Sequence, residues 1–191
     1  MSKVRIEVSA RHLHLSLKDL ESLFGLGYKL KPLKNLSQHG EFASSDTVTV
    51  KTKGGQIDKI RVIGPLREKT QVEISVTDAR KLKINPPVRL SGNVAGSISG
   101  TLIGPKGEIK IKEGIIIAQR HLHCNPKQAK KLNLKNGQLL SVKTIGERSL
   151  TFHNIAVRID DNFDLSLHLD TDEGNASLLG GVCGFGDLIN K

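Results

Sequence analysis

The tetrapeptide Arg-His-Leu-His occurs twice in this chain, and this repeat constrains the fold more than any other feature of the sequence. The two copies are residues 11–14 and 120–123. On an extended strand, side chains two residues apart point the same way, so each His-x-His pair directs two imidazoles toward one point. That is the geometry of a metal-ligand pair. Because each copy follows a strand-like run and precedes a helix start, the chain reads as a distant internal duplication.

The segment around the first copy predicts a strand followed by a helix. Alternating apolar residues from Val4 indicate a strand that continues through Ala10 to His14. Ser16 then predicts a helix N-cap, and the helix is expected to end near residues 25–27.

The segment around the second copy repeats this plan. Isoleucines at 115–117 lead to the histidines, and Asn125-Pro126 supplies an N-cap and a proline at the first helical position. This helix is expected to end at residue 132 or 133. A third short helix is predicted from Asp78 to Lys83.

Composition favours a mainly β protein with its own hydrophobic core. The 191 residues suffice for one large or two small domains, and the 19 glycines among short Val/Ile-rich runs are typical of small barrels or sandwiches. No apolar stretch approaches membrane-spanning length, so we expect a cytoplasmic protein that does not bind membranes. The net charge of +10 indicates an acidic partner, but five Phe and one Tyr argue against a nucleic-acid-binding module that stacks bases.

Each half of the chain offers a third candidate ligand on the polar face of a later strand. Val72 and Ile74 are expected to face a core, so Glu73 faces the other way, and His168 alternates in the same manner with leucines. The two predicted metal sets are His12, His14 and Glu73, and His121, His123 and His168. Three protein ligands with an open position are typical of a catalytic zinc rather than a structural one. Cobalt, nickel or iron also suits these donors.

Further motifs follow in order along nearly the whole chain. They are residues 8–16 (VSARHLHLS), 36–38 (LSQ), 64–67 (GPLR), 70–75 (TQVEIS), 77–80 (TDAR), 120–123 (RHLH) and 170–173 (DTDE). This combination resembles the PduL-type phosphotransacylase family, also called phosphate propanoyltransferases or phosphate acyltransferases. The resemblance implies a mainly β fold of two small β-barrel domains capped by short α-helices, with a swapped N-terminal strand. One barrel would combine residues 1–10 with 119–191, and the other would take 11–118, with a small insertion at about 25–45.

The resemblance also implies an activity and a site. The expected reaction is the reversible transfer of an acetyl or propanoyl group between coenzyme A and inorganic phosphate, with two zinc ions on the two ligand sets. Arg67 matches the catalytic, phosphate-binding arginine. The matched coenzyme A contacts are Ser9, Lys34, Arg61 and Asn175. A small homo-oligomer is expected, without the N-terminal peptide that directs many members to a bacterial microcompartment.

The chemistry leaves defined alternatives. The first zinc would bind the thiol sulfur of coenzyme A, and the second, with Arg67, would orient phosphate for direct attack on the thioester carbonyl. The alternative is a zinc-dependent thioester or phosphoester hydrolase, since the same metals would activate water. Arg11 and Arg120 either add positive potential or bracket the turns. Cys124 is expected to point away from His121 and His123 and to serve packing.

Overall fold

Strands make up most of the regular structure in the computed structural model, which describes residues 2–179 and 183–189. The mainly β fold with a few short helices is therefore confirmed. In chain order the elements are β1 (Ser2–Ser9), β2 (His12–His14), α1 (Leu17–Phe24), β3 (Pro32–Asn35), β4 (Phe42–Lys51), β5 (Gln56–Gly64), β6 (Gln71–Ile74), α2 (Val76–Leu82), β7 (Val88–Arg89), β8 (Ile98–Ile103), β9 (Glu108–Ala118), β10 (His121–Cys124), α3 (Pro126–Leu132), β11 (Leu139–Thr144), β12 (Thr151–Ile159), β13 (Ser166–Asp170), α4 (Thr171–Ala176) and β14 (Cys183–Ile189).

The chain divides into two units. The terminal unit consists of Met1–Ala10 and Gln119–Lys191, and the central unit consists of Arg11–Ala118. Within residues 2–179 and 183–189, no helix combines the length and the apolar character that crossing a membrane requires.

The terminal unit is a closed six-stranded barrel in the order β1-β13-β10-β12-β11-β14. The first strand of the chain, β1, lies parallel to β13 and antiparallel to β14. Its alternating residues Val4 and Ile6 are buried and share a core with Leu122 and Leu167. The amphipathic period of two in β1 therefore drives its incorporation into this barrel.

The central unit is a second six-stranded ring. Its strands follow the order β4-β5-β2-β6-β9, and β8 closes the ring because it pairs with both β9 and β4. The short strands β3 and β7 are attached outside the ring, to β4 and β9. Buried aliphatic residues such as Leu13, Ile60, Val72 and Ile115 fill its core.

Both ends of α1 and of α3 agree closely with the sequence. Ser16 caps α1 by accepting a hydrogen bond from the Asp19 N–H, and α1 ends at Phe24. Asn125 caps α3 with a complete capping box, and α3 ends at Leu132. The predicted third helix is α2, but it begins at Val76, two residues before Asp78, because Ser75 rather than a later residue provides the N-cap.

Two predictions differ from the structure. The strand predicted to run from Val4 through Ala10 to His14 is two strands, because β1 forms its hydrogen bonds in the terminal barrel and β2 forms its own with β5 and β6 in the central one. Helix α4 was not predicted. Its signal was present in the sequence, since Asp170 and Glu173 form a capping box.

Candidate metal centres

The first predicted ligand set comes together in the central barrel through strand pairing. In the antiparallel pair of β2 and β6, His12 lies directly opposite Glu73, and its Nε2 is 3.6 Å from the Glu73 Oε1. The His14 ring lies 5.3 Å from the His12 ring, centroid to centroid. One candidate ligand atom from each of the three residues lies within 4.8 Å of the other two. The pleat of β2 and its register with β6 thus build the set.

The three side chains fit a metal ion. All are buried, and the His14 Nδ1 has no hydrogen-bond partner among the described residues. Burial, together with the charges of His12 and Arg67, lowers the pKa of His14 from 6.5 to about 3. His14 is therefore neutral at physiological pH, which is the form in which histidine binds metals. Two imidazole nitrogens and one carboxylate oxygen form a donor set suited to zinc.

Glu73 is held by two residues that the sequence did not identify as functional. Its Oε1 accepts hydrogen bonds from the Gln71 amide and from the Ser91 hydroxyl, the latter at 2.7 Å. Burial alone would raise the pKa of Glu73, but the charge and hydrogen bond of His12, the charge of His14 and the hydrogen bond from Ser91 outweigh burial and hold the pKa well below its ordinary value. Gln71 could have been found, because it lies two residues before Glu73 on the same strand face. Ser91 has no comparable signal, since it lies in a loop far along the chain.

Arg67 lies beside this set. Its backbone N–H donates to the carbonyl of Leu15 at 2.9 Å, which ties it to the residue after His14. Its Nη1 donates to the Ser91 Oγ at 2.8 Å, and its Nη2 lies 3.4 Å from the Glu41 Oε1. The side chain is 31% exposed, so solvent and small anions can reach the guanidinium. A planar guanidinium can donate two parallel hydrogen bonds to two oxygens of one phosphate.

The second predicted ligand set comes together in the same way in the terminal barrel. In the antiparallel pair of β10 and β13, His121 lies directly opposite His168. The ring centroids of His121, His123 and His168 are 4.6 to 5.1 Å apart. The His121 Nδ1 is 2.8 Å from the Gln119 carbonyl oxygen, and the His168 Nε2 is 2.9 Å from the Ser166 Oγ. Such contacts orient imidazoles that bind metals through their other nitrogen.

The two sets differ in how closely their ligand atoms approach. Among the described residues, only the His12, His14 and Glu73 set brings three ligand atoms within 4.8 Å of one another. In the terminal barrel, the His123 ring stacks on Phe163 with centroids 3.7 Å apart. The central set is therefore the more closely assembled of the two.

The four residues matched to coenzyme A contacts are divided between the units. In the central unit, Arg61 on β5 pairs with His12, and its Nη1 donates to the Ser44 carbonyl. Lys34 is exposed on β3, which pairs with β4. In the terminal unit, Ser9 ends β1 and Asn175 is exposed on α4.

Cys124 belongs to the core of the terminal barrel. It is fully buried among apolar residues that include Leu122 and Leu167. Burial raises the pKa of its thiol, so the reactive thiolate is disfavoured. These properties agree with a packing role.

The lowered pKa of His14 predicts acid sensitivity in the metal-free protein. The unfolded chain takes up this proton near pH 6.5, whereas the folded chain takes it up only near pH 3. The unfolded state therefore binds more protons between these values, and the free energy of unfolding decreases as the pH falls. We expect His14 to contribute a loss of about 2 kcal/mol between pH 6.5 and roughly 4.5.

Urea unfolding at several pH values, with a chelator present, measures this loss. The His14→Asn variant should lack that part of the pH dependence. Equal pH slopes in the variant and the parent protein would contradict the prediction.

Comparisons with known proteins identify the family of the chain. Residues 5–180 match the sequence profile of the phosphate propanoyltransferase family. A phosphate propanoyltransferase of Thermotoga maritima is 45% identical over 96% of this chain and 86% of its own length. Those of Priestia megaterium and Salmonella typhimurium are 48% and 43% identical, over 92% and 91% of this chain and 81% and 83% of their own lengths. The chain therefore belongs to the phosphate propanoyltransferase family, which is a family of acyltransferases.

Proposed function

We propose that this protein transfers a short acyl group, acetyl or propanoyl, between coenzyme A and inorganic phosphate to give an acyl phosphate. Membership of the phosphate propanoyltransferase family supports this reaction class. The observation that carries the proposal at the level of residues is the guanidinium of Arg67 beside the buried set of His12, His14 and Glu73. Phosphate that accepts an acyl group must be bound and its charge balanced, and a guanidinium next to a metal-ligand set is suited to both tasks.

We further propose that each histidine set holds one zinc ion. The neutral state of His14 and the close approach of the central ligands support the first site. The hydrogen bonds that orient His121 and His168 support the second. A zinc ion at a three-ligand site supplies affinity for a thiolate sulfur and Lewis acidity toward oxygen.

The role of Arg67 in this proposal is to bind and orient phosphate. Its two Nη groups would hold two phosphate oxygens, which leaves another oxygen directed at the thioester carbonyl. The attacking oxygen forms a bond to the acyl carbon, the carbon–sulfur bond breaks, and coenzyme A leaves as the thiolate. The Ser91 hydroxyl, which accepts a hydrogen bond from Arg67 and donates one to Glu73, keeps the two groups in a fixed arrangement. The burial of Cys124 supports direct transfer without an acyl-enzyme on that thiol.

Four residues are proposed to contact coenzyme A: Ser9, Lys34, Arg61 and Asn175. Lys34 and Arg61 supply positive charge suited to the phosphate groups of coenzyme A. Ser9 and Asn175 supply polar groups that form hydrogen bonds. The net charge of +10 favours the approach of an anionic substrate in general.

The test is thiol release from acetyl-CoA and propanoyl-CoA with and without phosphate, with acyl phosphate trapped by hydroxylamine. We expect release only when phosphate is present, in equal amounts with acyl phosphate. The His121→Ala variant should lose this activity, whereas His153→Ala, which removes an exposed histidine from the same barrel, should retain it. Thiol release that does not require phosphate would instead identify a hydrolase.

A further inference from the structure

The arginines that begin the two Arg-His-Leu-His copies each form an ion pair with a carboxylate on a helix. Arg11 Nη1 lies 3.0 Å from the Asp78 Oδ1 in α2. Arg120 Nε lies 2.7 Å from the Glu173 Oε1 in α4. The first pair is entirely within the central unit and the second entirely within the terminal unit. The same kind of arginine–carboxylate ion pair therefore occurs once in each unit.

The two ion pairs occupy equivalent positions relative to the proposed ligands. Each arginine immediately precedes the first histidine of its His-x-His pair. Asp78 follows Glu73 by five positions, and Glu173 follows His168 by five positions. In both barrels the third ligand lies directly opposite that first histidine in antiparallel register. Each ion pair thus links the residue just before one ligand strand to the helix just after the other.

The helix caps fix the backbone of Asp78 and the carboxylate of Glu173. The Asp78 N–H donates to the Ser75 Oγ at 3.2 Å, and the Asp78 side chain is 8% exposed. The Glu173 Oε2 accepts a hydrogen bond from the Asp170 N–H at 3.0 Å while its Oε1 contacts Arg120. Ser75 and Asp170 are the N-caps, and each lies two residues after the third ligand. A residue bonded to the cap is therefore held close to that ligand.

We propose that Arg11 and Arg120 are positioning residues, which hold the third ligand of each set opposite its first histidine through the carboxylates of Asp78 and Glu173. This inference rests on the proposed function, because it requires a metal ion at each set. The ion pairs of Arg11 and Arg120, at 3.0 and 2.7 Å, are shorter than the 3.4 Å contact of Arg67 with Glu41, and they involve more deeply buried carboxylates. Groups that orient metal ligands typically change metal affinity about 10- to 100-fold when removed.

Zinc affinity at one set is measured in a variant that lacks the other set. His121→Ala/His123→Ala isolates the central set, and His12→Ala/His14→Ala isolates the terminal set. Competition with a chelator of known affinity then gives the zinc Kd. In the central background, we expect Arg11→Gln to raise this Kd about 10-fold or more. In the terminal background, Arg120→Gln should do the same.

The controls separate positioning from loss of charge. Arg80→Gln removes an exposed arginine from α2, and Arg148→Gln removes an exposed arginine from the terminal unit. Neither should change the zinc Kd more than about twofold, since isolated surface charges act weakly. Arg11→Lys keeps the positive charge but not the planar guanidinium, so its zinc Kd should lie between that of Arg11→Gln and that of the parent protein. With both histidine sets intact and zinc saturating, Arg11→Gln should leave the KM for phosphate unchanged. A role for Arg11 in binding phosphate would instead raise this KM.

The outcomes distinguish this inference from the proposed function. Equal zinc Kd values for Arg11→Gln and Arg80→Gln, in a background that binds zinc, would overturn the positioning role and leave the proposed function standing. Absence of zinc binding in both backgrounds would overturn both. If Arg11→Gln fails to fold by circular dichroism, Asp78→Asn decides, because it removes the carboxylate of the same ion pair and a parent-like zinc Kd in that variant would overturn the positioning role.

Discussion

Replacing His14 with asparagine should remove one bound zinc ion per chain and reduce phosphate-dependent thiol release about 1000-fold. The His14 Nδ1 is buried without a hydrogen-bond partner among the described residues, so the loss of this imidazole removes a donor that no neighbour replaces. Loss of a metal that stabilises developing charge corresponds to about 4 kcal/mol in the transition state. Metal content by elemental analysis and initial rates with propanoyl-CoA measure the two effects.

The matched control is His39→Asn, which changes an exposed histidine of the same unit. This control should keep both the metal content and the rate of the parent protein. If His14→Asn retained two zinc ions and full activity, the central set would not be a metal site. Partial folding is monitored by circular dichroism, since the buried position of His14 also contributes to packing.

Replacing Arg67 with lysine should lower kcat/KM for phosphate about 100-fold while the zinc content stays at the parent level. Lysine keeps the charge but cannot form two parallel hydrogen bonds to phosphate, and a charge-assisted pair of this kind contributes about 2 to 3 kcal/mol. The effect should be expressed mainly in the KM for phosphate, because the interaction forms when phosphate binds. Saturation kinetics with phosphate at a fixed acyl-CoA concentration measure it.

Arg80→Lys is the control for this substitution, since Arg80 is exposed in the last turn of α2. It should leave the KM for phosphate unchanged. An Arg67→Lys variant with a parent-like KM would show that phosphate binds elsewhere. A variant that lost zinc as well would show that Arg67 supports the ligands rather than the substrate.

Local patterns in the sequence were sufficient to predict that His12, His14 and Glu73 lie together and to predict most helix ends. The period of two on a strand selects Glu73, because Val72 and Ile74 are buried in the core and the intervening side chain must face the other way. The same rule selects His168. Helix ends depend on caps within a few residues, which is why the positions of Ser16 and Asn125 were sufficient to locate two helix starts.

Features that depend on contacts distant in sequence could not be predicted in this way. Ser91 contacts Glu73 and Arg67 only because the loop after β7 folds back over β6. The break between β1 and β2 depends on which strands supply their hydrogen-bond partners, and a continuous alternating pattern contains no record of those partners. The ion pairs of Arg11 and Arg120 likewise appear only when the helices that follow β6 and β13 are in place.

The position of β1 has a consequence for folding during synthesis. Arg5 on β1 pairs with Ser166, so β1 leaves the ribosome well before its partner strand, which lies 161 positions later. The central barrel has all of its own strands by residue 118 and can close first. Once it has closed, His12 and Ile116 are joined through Glu73 on adjacent strands, which brings its two ends to within about 10 Å. The folded insert therefore replaces a long flexible loop with a short rigid one, which lowers the entropic cost of pairing β1 with β13 by about 1 kcal/mol.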